Sequence, residues 1–274
     1  MQPSDDYTAQ ATQRCERVLG TLMRGVGQPW RDRMCLIGGL VPRYLLPMSG
    51  YRQPGHVGST DVDLALSVAL GDCDEGAYAT LASNLKRLGL KRFDASSWRW
   101  FADVEGLPTV VEFIGDDAGA EAGSIFTPRI RPAAGAGGVG LLCVRGIDLC
   151  FADSLVVDRT VELLDGTVSD VRFRLPNVAP FLALKADAFL DRNKPKDAYD
   201  LVYVVRWWQG GPEAAADSVS ASPVFRETFV QDALARVKKD SAPPWRSTVC
   251  AARGRKGLER GSRIARERGG SCHG

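Results

Sequence analysis

Histidine is nearly missing from this sequence: 274 residues contain two, His56 and His273. That scarcity leaves little room for a histidine-based catalytic triad or a histidine metal cage, and it moves the search for chemistry to carboxylates and lysines. The seven cysteines (Cys15, Cys35, Cys73, Cys143, Cys150, Cys250 and Cys272) form no C-x-x-C pair and have no histidine at zinc spacing, so reduced thiols are expected. No apolar run approaches the roughly 18 residues of a membrane span. The opening Met1-Gln2-Pro3-Ser4-Asp5-Asp6 has neither the basic nor the apolar region of a signal peptide, so a cytoplasmic protein with no membrane partner is expected. One-sided charge is lacking as well. A net charge of +2 with 25% charged residues excludes both a uniformly basic nucleic-acid binder and a disordered chain. The Gly- and Pro-rich stretch 127–140 carries no lysine in P-loop position, so it reads as a connector rather than a phosphate cradle.

What is present is enough apolar sequence, 45%, to bury a full core. Residues 7–25 place Cys15, Val18, Leu19, Leu22 and Met23 at helical spacing. A strand over 34–37 runs into Gly38-Gly39 and a short helix over 40–46, and a loop follows over 47–58. From Asp61 the polar and apolar residues alternate, the mark of a strand with one face on the core. A helix over 77–90, β runs over 97–102 and 109–114, a β stretch over 160–174, and helices over 178–192 and 196–208 complete the pattern. The predicted class is α+β, a mixed sheet with flanking helices followed by a mainly helical C-terminal half. From about residue 241 the chain is dominated by Arg, Gly, Ser and Pro, with Arg253, Arg255, Lys256, Arg260, Arg263, Arg266 and Arg268 opposed only by Glu259 and Glu267. Such a segment lacks the apolar residues to fold alone, and reads as a disordered tail or an RNA-attracting arm.

Carboxylates at i and i+2 on a strand share a face, so Asp61 and Asp63 can hold one or two magnesium or manganese ions. Phosphoryl transfer uses such ions to neutralise a triphosphate and activate the attacking hydroxyl. A solvent-facing strand gives the same D-x-D, and the surroundings decide between the two. Gly38 and Gly39 offer bare backbone amides to phosphate, and Ser59 and Thr60 put hydroxyls just before the acids. Glu112, an acid inside the apolar run Val110-Val111-Glu112-Phe113-Ile114, is the candidate third metal ligand, with Asp103 and Asp116 as fallbacks. A second cluster lies at Leu184-Lys185 through Asp200-Leu201. Lys185 and Arg192, seven apart, share a helix face that can meet a triphosphate; Asp197 and Asp200, beside Lys196, share a face of the next helix. Trp98, Trp100, Trp207 and Trp208 are read as packing groups, with base stacking as the alternative.

Taken together, Gly-Gly after a strand, then G-S-T-D-V-D-L, V-E-F and F-L-A-L-K-A-D-A-F-L-D-R-N-K-P-K-D-A-Y-D-L, the sequence resembles the AbiEii/AbiGii-type nucleotidyltransferase toxins. These belong to the polymerase-β-like superfamily and include the MenT enzymes of mycobacteria. The similarity covers roughly residues 34–208. It implies a nucleotidyltransferase fold, with a catalytic core over 1–130, a mainly helical half over 131–240 completing the active site, and the tail over 241–274. It also implies transfer of a nucleotide from an NTP to an acceptor such as the 3′ end of tRNA, by the toxin of a toxin–antitoxin or abortive-infection system, with an antitoxin as possible partner. By position, Ser59 would help hold phosphate, Asp61 and Asp63 would bind metal, Lys185 would contact the triphosphate, and Asp200 would be the late acid. Lys185 is also expected to face the cleft from its helix and to serve the ligand rather than the fold, with no necessary structural partner in the empty site, unless Asp200 holds it in place. His56 stands where many relatives have arginine. The alternatives are an antibiotic-type small-molecule nucleotidyltransferase and a non-catalytic binding module of the same fold.

Overall fold

Four consecutive apolar residues make the centre of the molecule. Met34–Ile37 form β1, buried along its whole length because both faces of the sheet are covered at this strand. The computed structural model describes residues 7–46, 55–67, 75–93, 98–116, 121–126 and 138–240. The proposed tail at 241–274, most of the 127–140 connector and part of the 47–58 loop lie outside them. The elements are α1 (Ala9–Gly25), β1, α2 (Val41–Leu45), β2 (Asp61–Leu66), α3 (Glu75–Arg87), β3 (Lys91–Arg92), β4 (Arg99–Val104), β5 (Leu107–Gly115), β6 (Ile125–Phe126), β7 (Leu141–Cys143), α4 (Leu149–Ala152), β8 (Ser154–Glu162), β9 (Val168–Pro176), α5 (Val178–Arg192), α6 (Pro195–Trp207), α7 (Gly211–Ser220) and α8 (Thr228–Asp240).

The expected α+β class with a mixed sheet is what forms. Among the described residues nine strands make one sheet in the order β3-β4-β5-β2-β1-β9-β8, with β7 beside β5 and β6 beside β7. β1 runs antiparallel to β2 and parallel to β9, while β2 runs parallel to β5. One face carries Cys35, Ile37, Ala65 and Ile114 against Ile147 and Cys150 of the α4 region and Leu184 of α5. Because side chains alternate, Val171, Phe173 and Leu175 of β9 point the other way, toward the side where α1 lies against β8 and β9. Thr8 caps α1 by accepting the Ala11 amide at 3.0 Å, and Asn177 caps α5 by accepting from the Val178 amide.

One expectation changes. The β stretch over 160–174 is a hairpin of β8 and β9, turned where Asp165 accepts from the Thr167 amide and hydroxyl. The sheet runs across residue 130, since β7, β8 and β9 belong with β1–β6, so the residues after 130 contribute strands as well as helices. The chain falls into one unit over Met1–Leu234 and a second over Ala235–Gly274. Cys15, Cys35, Cys143 and Cys150 are free thiols, all buried. Trp98 and Trp100 are buried and Trp208 Nε1 donates to Ser218 Oγ at 3.1 Å, which fits packing. No helix among the described residues is long and apolar enough to cross a membrane.

Candidate active site

The register of the sheet builds one row of side chains. Ile37 of β1 pairs with Asp63 of β2, Asp63 with Glu112 of β5, and Glu112 with Arg99 of β4. Residues paired in register share a face, so Asp63 and Glu112 stand side by side on neighbouring strands. Asp61, two residues before Asp63, is on that face as well. Three carboxylates therefore share one face of two neighbouring strands, although no three acids among the described residues are spaced as a ready-made metal cage. Arg99 Nε donates to Glu112 Oε1 at 2.9 Å, while Ser59 Oγ donates to Asp61 Oδ1 at 2.8 Å.

Electrostatics report the crowding. Burial first, then the charges of Asp61 and Glu112, hold the Asp63 carboxyl well above the usual carboxylate range, although Lys185 and Arg192 pull the other way. Burial also raises Glu112, with Arg99 opposing and Asp61 adding to it. Asp63 and Glu112, both raised by burial and by neighbouring acid charge, are carboxyls whose ionisation a divalent cation would favour. The all-oxygen donor set suits a hard ion such as Mg2+ or Mn2+.

Gly38 has φ of +73° and sits where a Cβ would collide with the Asp63 carboxylate, so only glycine lets the backbone turn here. A Cβ on Gly39 would lie 2.6 Å from Ser59 Oγ and 3.4 Å from Lys196 Nζ. The glycine pair is thus enclosed by Asp63, Ser59 and Lys196. Thr60 is exposed beside Ser59, just before β2.

Across from the acids, α5 and α6 form a hairpin whose turn is Asn193, in the left-handed region at φ 49°. The hairpin brings Lys185 to Asp197 Oδ1 at 3.0 Å and to Asp200 Oδ2 at 2.9 Å. The second contact is an ion pair without hydrogen-bond alignment. Arg192 grips Asp197 with Nε at 2.8 Å and Nη2 at 3.0 Å, and Lys196 also pairs with Asp200. Burial works against the Lys185 ammonium, yet Asp200 and Asp197 outweigh it and its pKa is raised. Lys196 shares its one carboxylate with Lys185, and burial leaves it lowered. Asp200, despite its burial, is pulled down to about 2 by Lys185, by the His56 bond and by Lys196.

A cavity of about 160 Å³ joins the two clusters. Gly38, Asp63, Glu112, Lys185 and Arg192 line its polar side, and apolar residues such as Phe181 line the rest. Of the predicted site residues, the structure therefore places Gly38, Asp63, Glu112, Lys185 and Arg192 around one space. Gly39, Ser59, Asp61 and Lys196 adjoin it, and Asp197 and Asp200 lie behind Lys185 rather than at the surface. Lys185 itself departs from expectation: it is buried, 7% exposed, and held by two aspartates. Asp103 accepts the Gly106 amide at 2.9 Å in the exposed β4–β5 turn and is not among the residues lining the cavity. Asp116 follows the end of β5.

Sequence reasoning missed His56, noted only as a departure from a family pattern. It is buried against Asp200 at 2.8 Å. A lone histidine in a Gly-rich loop carries no spacing signal that could have assigned it a partner 144 residues away. No protein-family model matches the chain, and no curated protein matches it.

Proposed function

We propose that this protein is a metal-dependent nucleotidyltransferase that moves a nucleotide from an NTP to an acceptor hydroxyl. The observation that carries the proposal is the pairing of Asp63 with Glu112 on parallel strands, with Asp61 on the same face, opposite the cations of α5 and α6. Asp61, Asp63 and Glu112 would hold magnesium or manganese, which when bound neutralises phosphate charge and lowers the barrier to attack at the α-phosphorus. In the reaction the acceptor oxygen bonds to the α-phosphorus, the bond to the β-phosphate bridging oxygen breaks, and pyrophosphate departs. The hydroxyl proton passes to the carboxylate cluster. Lys185 and Arg192 face the cavity and stabilise phosphate charge, and Ser59 orients Asp61 through its 2.8 Å bond. Asp197 and Asp200 fix the two lysines and Arg192, so their role is to aim cations rather than to touch substrate.

The acceptor we favour is the 3′ end of an RNA such as tRNA, in a toxin that an antitoxin would restrain. This part of the proposal comes from the sequence resemblance. Incubation with each α-labelled NTP, magnesium and total RNA, resolved on a gel, tests it. Label in RNA that disappears with EDTA and in Asp63→Asn supports the reading, while label in a small-molecule acceptor favours an antibiotic-type enzyme. No transfer under any of these conditions removes it.

A further inference from the structure

His56 belongs to neither the acids nor the cations, yet it connects them. The Gly58 amide donates to its Nδ1 at 2.9 Å, so Nδ1 carries no proton and the ring is the Nε2–H tautomer. That proton is donated to Asp200 Oδ1 at 2.8 Å. Tyr203 meets the ring edge-on with centroids 4.9 Å apart, and Tyr199 lies tilted at 5.4 Å. Ring position, tautomer and both nitrogens are thus fixed.

The loop that holds His56 leads directly into the carboxylates, and α1 and α6 clamp it between them. The Cys15 thiol donates to the Ser59 carbonyl at 3.5 Å, and Thr12 Oγ1, which donates to the Thr8 carbonyl at 3.1 Å, lies within 3.4 Å of the Val57 carbonyl as well. From α6, the Tyr199 hydroxyl accepts a backbone hydrogen bond from Val57. Gly58, at φ +84°, packs so tightly on Thr12 that a Cβ would collide with it. A continuous path of bonds therefore runs from Asp200 through His56 to the Gly58 amide, and on to Ser59, the next residue, whose hydroxyl donates to Asp61. Asp200 already faces two ammonium groups, Lys185 and Lys196. The His56 bond is not required to neutralise it. What the bond supplies is a fixed distance between the helix that aims the cations and the loop that aims Asp61.

We infer that His56 is a positioning residue of the transfer reaction, holding the Ser59–Asp61 loop in register with the Lys185–Asp200 cluster. The inference rests on the transferase reading of this site. Misplacing a catalytic group by about 1 Å can cost on the order of a hundredfold in rate, whereas binding made elsewhere is spared. The full chain is compared with His56→Gln, whose amide can still donate to Asp200, with His56→Asn, which keeps an acceptor near the Gly58 amide and loses the reach to Asp200, and with His56→Ala. Melting temperature, kcat and KM for the NTP are measured for each, well below the lowest melting temperature. The expected result is a fall in kcat of about ten- to a hundredfold in the Asn and Ala variants, a smaller fall in Gln, and KM within a few-fold throughout. Normal kcat in His56→Ala while Asp61→Asn abolishes transfer overturns the inference and leaves the transferase reading standing. So does a kcat that follows melting temperature alone, with Gln no better than Asn. Absence of transfer by the unaltered protein with every NTP overturns both.

Discussion

Asp63 and Asp200 carry the same functional group and respond to folding in opposite directions. Asp63 is crowded by burial and by two other acids, so its folded pKa lies above the unfolded value near 3.9. The metal-free protein must then lose stability as pH rises from the ordinary carboxylate range through that raised value, because the folded state binds the extra proton. Asp200 has the opposite sign. Its folded pKa of about 2 contributes stability that is complete above the unfolded value and is lost as pH falls from about 4 toward 2. Asp63→Asn should therefore raise the melting temperature of the protein in EDTA at pH 7 and erase the stabilisation that magnesium gives the unaltered chain. Asp200→Asn should lower the melting temperature with or without magnesium. Melts of the three proteins from pH 3 to 8, in EDTA and in magnesium, check both signs. A destabilised Asp63→Asn in EDTA would mean that the carboxylate is a structural partner and not a ligand.

The α5–α6 hairpin shows how far element-level reasoning reaches. Helical periodicity makes α5 legible over its full Val178–Arg192 span and α6 to within one residue at each end, 196–208 against Pro195–Trp207. The same-face spacing of Lys185 with Arg192, and of Asp197 with Asp200, was also readable. What spacing could not convey is that Asn193 folds the two helices back so that one pair meets the other, and Lys185 reaches the cavity while held between Asp197 and Asp200. Likewise Glu112 was identifiable as an unusual acid, but its pairing with Asp63 depends on a parallel β2–β5 register that no local signal encodes. The β8–β9 hairpin was read as one stretch because Leu163 and Leu164 continue the apolar pattern into the turn. It follows that Lys185→Met acts on stability as well as on transfer. Removing one partner of a buried ion pair costs about 3–5 kcal/mol, and the lower end applies because Lys196 still pairs with Asp200 and Arg192 with Asp197. A chemical denaturation midpoint unchanged by Lys185→Met would show that the hairpin does not depend on this pair.

At the scale of the whole molecule, the sheet decides where the chain can be cut. β1 is the central strand, flanked by β2 and by β9, which enters more than 130 residues later. A chain ending at residue 130 retains β1–β6 but lacks β7, β8, β9, α4 and α5. β1 would become an edge with unpaired amides and carbonyls. The face bearing Cys35, Ile37, Ala65 and Ile114 would lose Ile147, Cys150 and Leu184 from above it. Asp63 would lose Lys185 and Arg192, the two cations that offset its charge. Each loss points the same way, so residues 1–130 should be insoluble or show no cooperative melt, despite holding all three carboxylates. A chain ending at residue 240 keeps all nine strands and both charge clusters, and the removed residues 241–274 have no apolar periodicity to contribute to a core. Its melt should match that of the full chain within a few degrees, about 1 kcal/mol for a protein of this size. The same pair separates the two readings of the basic tail. If residues 241–274 attract RNA, the shorter chain should bind RNA less tightly and with a flatter dependence on salt, because fewer phosphate contacts release fewer counterions. Equal affinity and equal salt slope for the two chains would assign RNA binding, where it occurs, to the folded part alone.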